Sequence, residues 1–145
     1  ATLTLPSPGS SGSLGANRAI VIDAKAPTAL LISCSISSCL KIPVDGTGHA
    51  TVQSTETGTA YLVKTGGAGT DVTVNNLASI TGAADNMWNS VTISSVSFNT
   101  NLPTTGLRLG IYEVYAVDAL GNLSGPSTGT GGKDGALGSM NVEPD

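Results

Sequence analysis

Gly110-Ile111-Tyr112-Glu113-Val114-Tyr115-Ala116-Val117-Asp118 is the stretch on which the reading of the fold turns. In an extended chain successive side chains point to opposite faces, so Tyr112, Val114 and Ala116 share one side while Ile111, Glu113, Tyr115 and Val117 share the other. A carboxylate is costly to bury without a partner, which directs the Tyr112, Val114 and Ala116 face to the core. Alternation with Val, Ile and Tyr marks a strand, and the following Asp118 to Asn122 carries the Gly-Asn chemistry of a turn.

The same pattern recurs outward from that stretch. Apolar, β-prone segments occur at residues 19–22, 29–34, 49–54, 59–64, 71–74, 90–98 and 137–142, with clear alternation in Val91 and Ile93. Gly, Asn, Asp, Pro and Ser separate them, and strands at this spacing predict an all-β sandwich. One interruption is helical: Leu77, Ile80 and Ala84 fit a single turn near residues 76–84, with Asn76 or Ser79 as its cap.

At the start, Thr2, Leu3, Thr4 and Leu5 alternate as a short strand before Pro6, and residues 7–13 have the Pro/Gly/Ser composition of a linker. The 145 residues are therefore divided into an extension, residues 1–18, and one sandwich, residues 19–145. An extended segment on a flexible hinge can add to an open sheet edge of another copy, so Thr2 to Leu5 are the candidate intersubunit strand.

Composition narrows the function. Charged residues make up only 11% and aromatics 3%, so the polar surface is built from Ser, Thr and Asn. With a net charge of −4 and no basic cluster, nucleic-acid binding is not expected. No apolar run reaches the length of a membrane span, and residues 1–18 do not read as a signal peptide. A single histidine, His49, with no second histidine to serve a serine, argues against a nucleophilic hydrolase. No enzyme is predicted.

Cys34 and Cys39 are the two cysteines, too few for a zinc site. In a straight strand their Cα atoms would lie roughly 16 Å apart, so a bridge requires the chain to turn back across the four residues between them. The pair is either a disulfide or two small buried hydrophobes.

Three further stretches carry a resemblance: Gly58-Thr59-Ala60-Tyr61-Leu62-Val63, Ala78-Ser79-Ile80-Thr81-Gly82-Ala83-Ala84-Asp85, and Trp88-Asn89-Ser90-Val91. Together with the Tyr-x-Val-x-Ala-x-Asp-x-x-Gly-Asn-x-Ser pattern ending at Ser124, the chain resembles the repeated bacterial immunoglobulin-like domains of large surface proteins. Asp23-Ala24-Lys25-Ala26-Pro27-Thr28 looks like the junction that opens such repeats. The resemblance spans roughly residues 20–130. It implies an immunoglobulin-like fold with Greek-key connections and an extracellular role at a bacterial cell surface, as a filament, sheath, layer or adhesin stalk. The partners implied are other copies or neighbouring domains of the same kind. The chain departs from the pattern in its Thr/Pro/Ser/Gly-rich segment before residue 19 and in residues 129–135, which interrupt the expected last strand.

The competing expectation is a calcium- or carbohydrate-binding module of a larger secreted protein. Hard cations take carboxylate and carbonyl oxygens, and in related adhesin repeats acidic residues at domain junctions hold calcium, which makes Asp23 and Asp118 the candidate ligands. Asp118 also has a purely structural explanation as a turn residue accepting backbone N–H bonds. Trp88, Tyr61, Tyr112 and Tyr115 are the aromatics for a sugar platform, but Trp88 is expected to fill the sandwich core. Asn122-Leu123-Ser124 matches a glycosylation triplet by accident of the turn.

Overall fold

A computed structural model describes residues 6–17, 22–34, 48–129 and 139–142. The candidate strand Thr2 to Leu5 and Cys39 lie outside the described residues, and with Cys39 the question of its pairing to Cys34.

The chain is mostly β. One sheet holds β1 (Ala29–Cys34), β2 (His49–Ser54), β5 (Thr100–Pro103) and β7 (Thr128–Gly129), in the order β5-β2-β1-β7. The other holds β3 (Gly58–Gly66), β4 (Trp88–Ile93), β6 (Gly110–Asp118) and β8 (Ser139–Val142), in the order β4-β3-β6-β8. Neighbours are antiparallel except β1 and β7, which pair in parallel through Leu30 with Thr128 and Leu31 with Gly129. The boundaries expected for β1 and β2 are those observed.

Alternation places the core. Ala50 and Val52 from β2, Leu31 from β1 and Leu102 from β5 meet Ala60 and Leu62 from β3, Ile93 from β4, and Tyr112, Val114 and Ala116 from β6. Each large apolar side chain buried there contributes about 1.5–3 kcal/mol relative to exposure. The inward face of β6 is thus the one expected. Tyr112 is fully buried, and its hydroxyl donates to the Arg108 carbonyl at 2.6 Å, tying the start of β6 to the preceding loop. Burial raises the pKa of its phenol, so this donor stays protonated.

The outward face of β6 differs from expectation. Tyr115 and Val117 are also buried: the chain between β3 and β4 folds back over Tyr115 on the outside of its sheet, and Val117 pairs with Leu123 in the chain returning after β6. Val72, Ile80 and Met87 from the β3–β4 segment cover Val63 and Tyr115, forming a second apolar cluster outside the sandwich. Residues 71–74 are consequently not a strand. Val72 and Val74 alternate because both anchor this cover, and Val72 N–H donates to the Lys64 carbonyl at 2.9 Å. Trp88 is corrected likewise: it packs half-buried on the outer cluster, its ring 5.8 Å from that of Tyr61, and does not enter the space between the sheets. Glu113 avoids an unpaired burial by accepting the Tyr115 hydroxyl at 3.0 Å.

The helical turn is where it was expected. α2 (Leu77–Thr81) opens on Asn76, whose side chain accepts the Ser79 N–H at 2.9 Å while the Ser79 hydroxyl accepts the Asn76 N–H at 3.0 Å. Both candidate caps take part in one reciprocal box. Two turns were not expected: α1 (Leu14–Asn17), inside the extension, and a 3₁₀ turn at Asp85–Met87. The strand expected over 90–98 runs instead from Trp88 to Ile93, since bends follow and Ser97 takes a positive φ of 54°.

Register defines two ends of the sandwich. At one, Gly58 pairs with both Asp118 and Ile93, and Ala29 pairs with Ser54. At the other, Gly66 pairs with Ile111, Gly110 with Val142, and His49 with Pro103. The chain runs into β1 from the first, the entry end, and β8 finishes at the second, the exit end. Nine residues of β6 separate them by about 27 Å.

The closing edge is built from hydroxyls as well as strands. β8 covers only residues 110–113 of β6. Beyond that, Ser127 Oγ accepts the Val114 N–H at 3.0 Å and Ser124 Oγ accepts the Ala116 N–H at 2.8 Å. These two buried serines satisfy donors that a continuous last strand would otherwise take. The glycine-rich interruption noted in the sequence follows the point where the chain leaves this edge to form β7 on the opposite sheet.

Candidate functional site

The entry end gathers acidic residues from three distant parts of the sequence. Asp118 ends β6 and is largely buried. Its Oδ1 accepts the Leu120 N–H at 2.8 Å and the Asn122 N–H at 2.9 Å, and its Oδ2 accepts the Asn122 amide at 2.7 Å. Gly121, at φ 91°, makes the tight return possible. The Asn122 amide also donates to the Asp23 carbonyl at 3.0 Å, which holds the incoming chain against the turn. Asp23 in turn accepts the Lys25 N–H at 3.0 Å.

Glu56 completes the group from the short connection between β2 and β3, where its N–H donates to the Ser54 hydroxyl at 3.2 Å. Because Gly58 pairs with Asp118, this connection is drawn alongside the end of β6. Carboxylate oxygens of Asp23, Glu56 and Asp118 all lie within 4.8 Å of one another. They border an open recess of about 290 Å³ whose other walls are Thr57, Val96, Ala119 and Leu120.

Two of the three acids, Asp23 and Asp118, are those the sequence reading selected, and the fold brings them together. Glu56 was missed. Nothing local distinguishes it from any acidic turn residue; its placement follows from the pairing of β3 with β6, some sixty positions apart in the chain.

Burial of Asp118 pushes its pKa upward, but the hydrogen bonds from the Asn122 side chain and from the backbone of Asn122, Leu120 and Gly121 outweigh it and hold the carboxyl below the ordinary aspartate range. A carboxyl lowered in the folded state adds stability above its unfolded pKa and loses it as pH falls through the folded value. The thermal midpoints of the wild type and Asp118→Asn should therefore differ most near neutrality and converge in strong acid. Parallel curves over the whole range would show that the charge of Asp118 does not stabilise the turn.

The remaining candidates are dispersed. His49 sits half-exposed at the exit end of β2. Tyr112 is fully buried between the sheets, whereas Tyr61, Trp88 and Tyr115 lie on the outer cluster, so the four aromatics form no common platform. A larger recess of about 430 Å³ lies between residues 70–73 and α2, lined mostly by small side chains such as Ala78, Gly82 and Ala83. Size alone does not make it the better site, since the acids converge on the smaller one.

No protein-family model, curated protein or solved structure matches this chain. Among the described residues, no helix is long and apolar enough to cross a membrane.

Proposed function

We propose that the chain is a non-catalytic, immunoglobulin-like structural module of a bacterial extracellular assembly, carrying tension between its two ends. The observation that supports this reading most directly is the placement of the ends. The chain meets the sandwich at one end and completes β8 at the other, so a pull on both sides acts along the strands. Under such a load the hydrogen bonds of β1 to β2, and of the parallel β1–β7 pair, are strained together in shear instead of one after another.

The immunoglobulin-like, Greek-key part of the reading draws on two features. β1, β2 and β5 share one sheet while β3, β6 and β8 share the other, and the chain crosses between sheets from β2 to β3, from β4 to β5 and from β5 to β6. Tyr112, near the start of β6, returns its hydroxyl to a carbonyl four residues upstream, as the tyrosine of a sandwich corner does. Pairing of β4 with β3 sets the arrangement apart from the seven-strand constant type, whose fourth strand lies in the opposite sheet.

Single-molecule pulling tests the proposal. With handles at Ile22 and Val142, the force is applied end to end; with handles at Ile22 and Leu120, both at the entry end, the strands peel. The end-to-end geometry is expected to require the larger unfolding force. Equal forces in the two geometries would sink the load-bearing reading.

A second reading, a calcium-binding module, rests on the three converging carboxylates. Calcium takes oxygens at 2.3–2.6 Å, so ligands on opposite sides of one ion stand about 5 Å apart, which the 4.8 Å grouping accommodates. Asp23, Glu56 and Asp118 are the residues that would hold it. Titration calorimetry should give a dissociation constant of about 10⁻⁴–10⁻³ M, the range of extracellular modules, and Glu56→Gln should weaken it. Absence of heat, with no change in melting temperature on adding calcium, would remove this reading.

A further inference from the structure

Exposed large apolar side chains are unevenly distributed among the described residues. Ile22, Val96, Phe98 and Leu120 are at the entry end, at 85, 55, 66 and 57% exposure. Val96 and Leu120 line the acidic recess itself, and Ile22 adjoins Asp23 in the chain. Phe98 follows Ser97, whose N–H donates to the Ser54 carbonyl at 2.8 Å and so fixes this loop at the same end. Several apolar side chains around a few carboxylates suit a protein partner that brings both a cation and apolar surface.

The exit end carries that combination. Arg108 is exposed and is followed by Leu109 at 41% exposure. Their backbone is held on both sides: Arg108 N–H donates to the Asn86 carbonyl at 2.9 Å, and its carbonyl accepts the Tyr112 hydroxyl. The pair therefore projects from a fixed support, so little ordering is lost on docking. At the entry end the recess has three carboxylates, with Lys25 the nearest cation in the chain.

We propose that the entry-end recess is a docking surface for the Arg108–Leu109 projection of a second copy of this chain. Arg108 would face Glu56 and its neighbouring carboxylates, while Leu109 would meet Val96 and Leu120. The contact joins two different surfaces and lies along the strand axis, so its repetition yields an open, head-to-tail polymer. This inference rests on the structural-module reading and names the surface through which copies meet.

Charge reversal tests it. Sedimentation velocity of the full chain at low salt, over a range of concentrations, should show wild-type self-association that weakens as salt rises. Arg108→Glu alone and Glu56→Arg alone should each weaken it by about tenfold or more, since each sets like charges opposite one another. Mixed in equal amounts, the two variants should associate again, because each then offers the other a complementary end. A monomeric wild type, reversals without effect, or failure of the mixture to recover would overturn the proposal. So would association that disappears on deleting residues 1–5 while both reversals leave it intact, which would assign the contact to the terminal segment. The pulling geometry is measured within one molecule. Failure here combined with a high end-to-end force removes the docking surface alone, whereas a low force removes the load-bearing reading.

Discussion

Gly58→Ala is expected to destabilise the fold by about 4 kcal/mol, combining backbone strain of about 1–3 kcal/mol with overpacking of a similar size. Gly58 holds φ 150°, and a Cβ there would stand 2.0 Å from the Val117 carbonyl oxygen and 2.9 Å from the Asp118 Cα. Both obstacles are main chain in the central β3–β6 ladder, so no side-chain rotation relieves them. Against a domain stability of about 5–15 kcal/mol the loss is severe. Gly69→Ala is the control: Gly69 also has a positive φ, of 92°, but open space around it, and should cost only about 1 kcal/mol. Equilibrium urea unfolding of the two variants measures both. Equal effects would mean that close approach of the strands does not decide the position. The consequence extends to the site, because the Gly58–Asp118 pairing is what brings Glu56 to the end of β6.

Asp71→Ala should cost about 3 kcal/mol, and more than Lys64→Met at its partner. Lys64 is fully buried, and its ammonium donates to the Asp71 carboxylate, to the Gly66 carbonyl at 3.1 Å and to the Thr70 carbonyl at 3.2 Å. All three of its donors are thus used. Removing Asp71 leaves a positive charge inside the protein without its counter-charge, the most costly way to break such a pair. Lys64→Met keeps the buried stem and leaves Asp71, 39% exposed on its side chain, to water, so about 1 kcal/mol is expected. Denaturant unfolding of both variants decides the order. If Lys64→Met proves the more damaging, the hydrogen bonds to the loop carbonyls outweigh the cost of the isolated charge.

The buried lysine also shows where pattern reading reached its limit. Lys64 falls on the inward face of β3, in phase with Ala60 and Leu62, a position where alternation calls for an apolar residue. Its partners are Gly66, the last residue of the strand, beyond the register shift that follows Lys64, and Thr70 and Asp71 in the loop after it. Trp88 and residues 71–74 were misplaced for a related reason. Period-two patterning reports that a side chain is buried, but not which layer buries it, and here a loop and α2 form a third layer over one sheet. β5 escaped notice because only Leu102 of its four residues is an apolar side chain facing the core.

The all-β character, β1 and β2 with their boundaries, the inward face of β6 and the capped turn at α2 were set by local alternation and short-range hydrogen-bonding chemistry, which act within a few residues and are written in the chain order. The three-carboxylate grouping, the outer apolar layer and the opposed entry and exit ends were decided only in the tertiary structure, by strand pairing, by packing of the chain between β3 and β4 over its sheet, and by the Asn122 bond to the Asp23 carbonyl. Register between β3 and β6 brings Glu56 to Asp118 across dozens of intervening residues, and that choice is made by the packing of the whole sandwich, which no single stretch encodes.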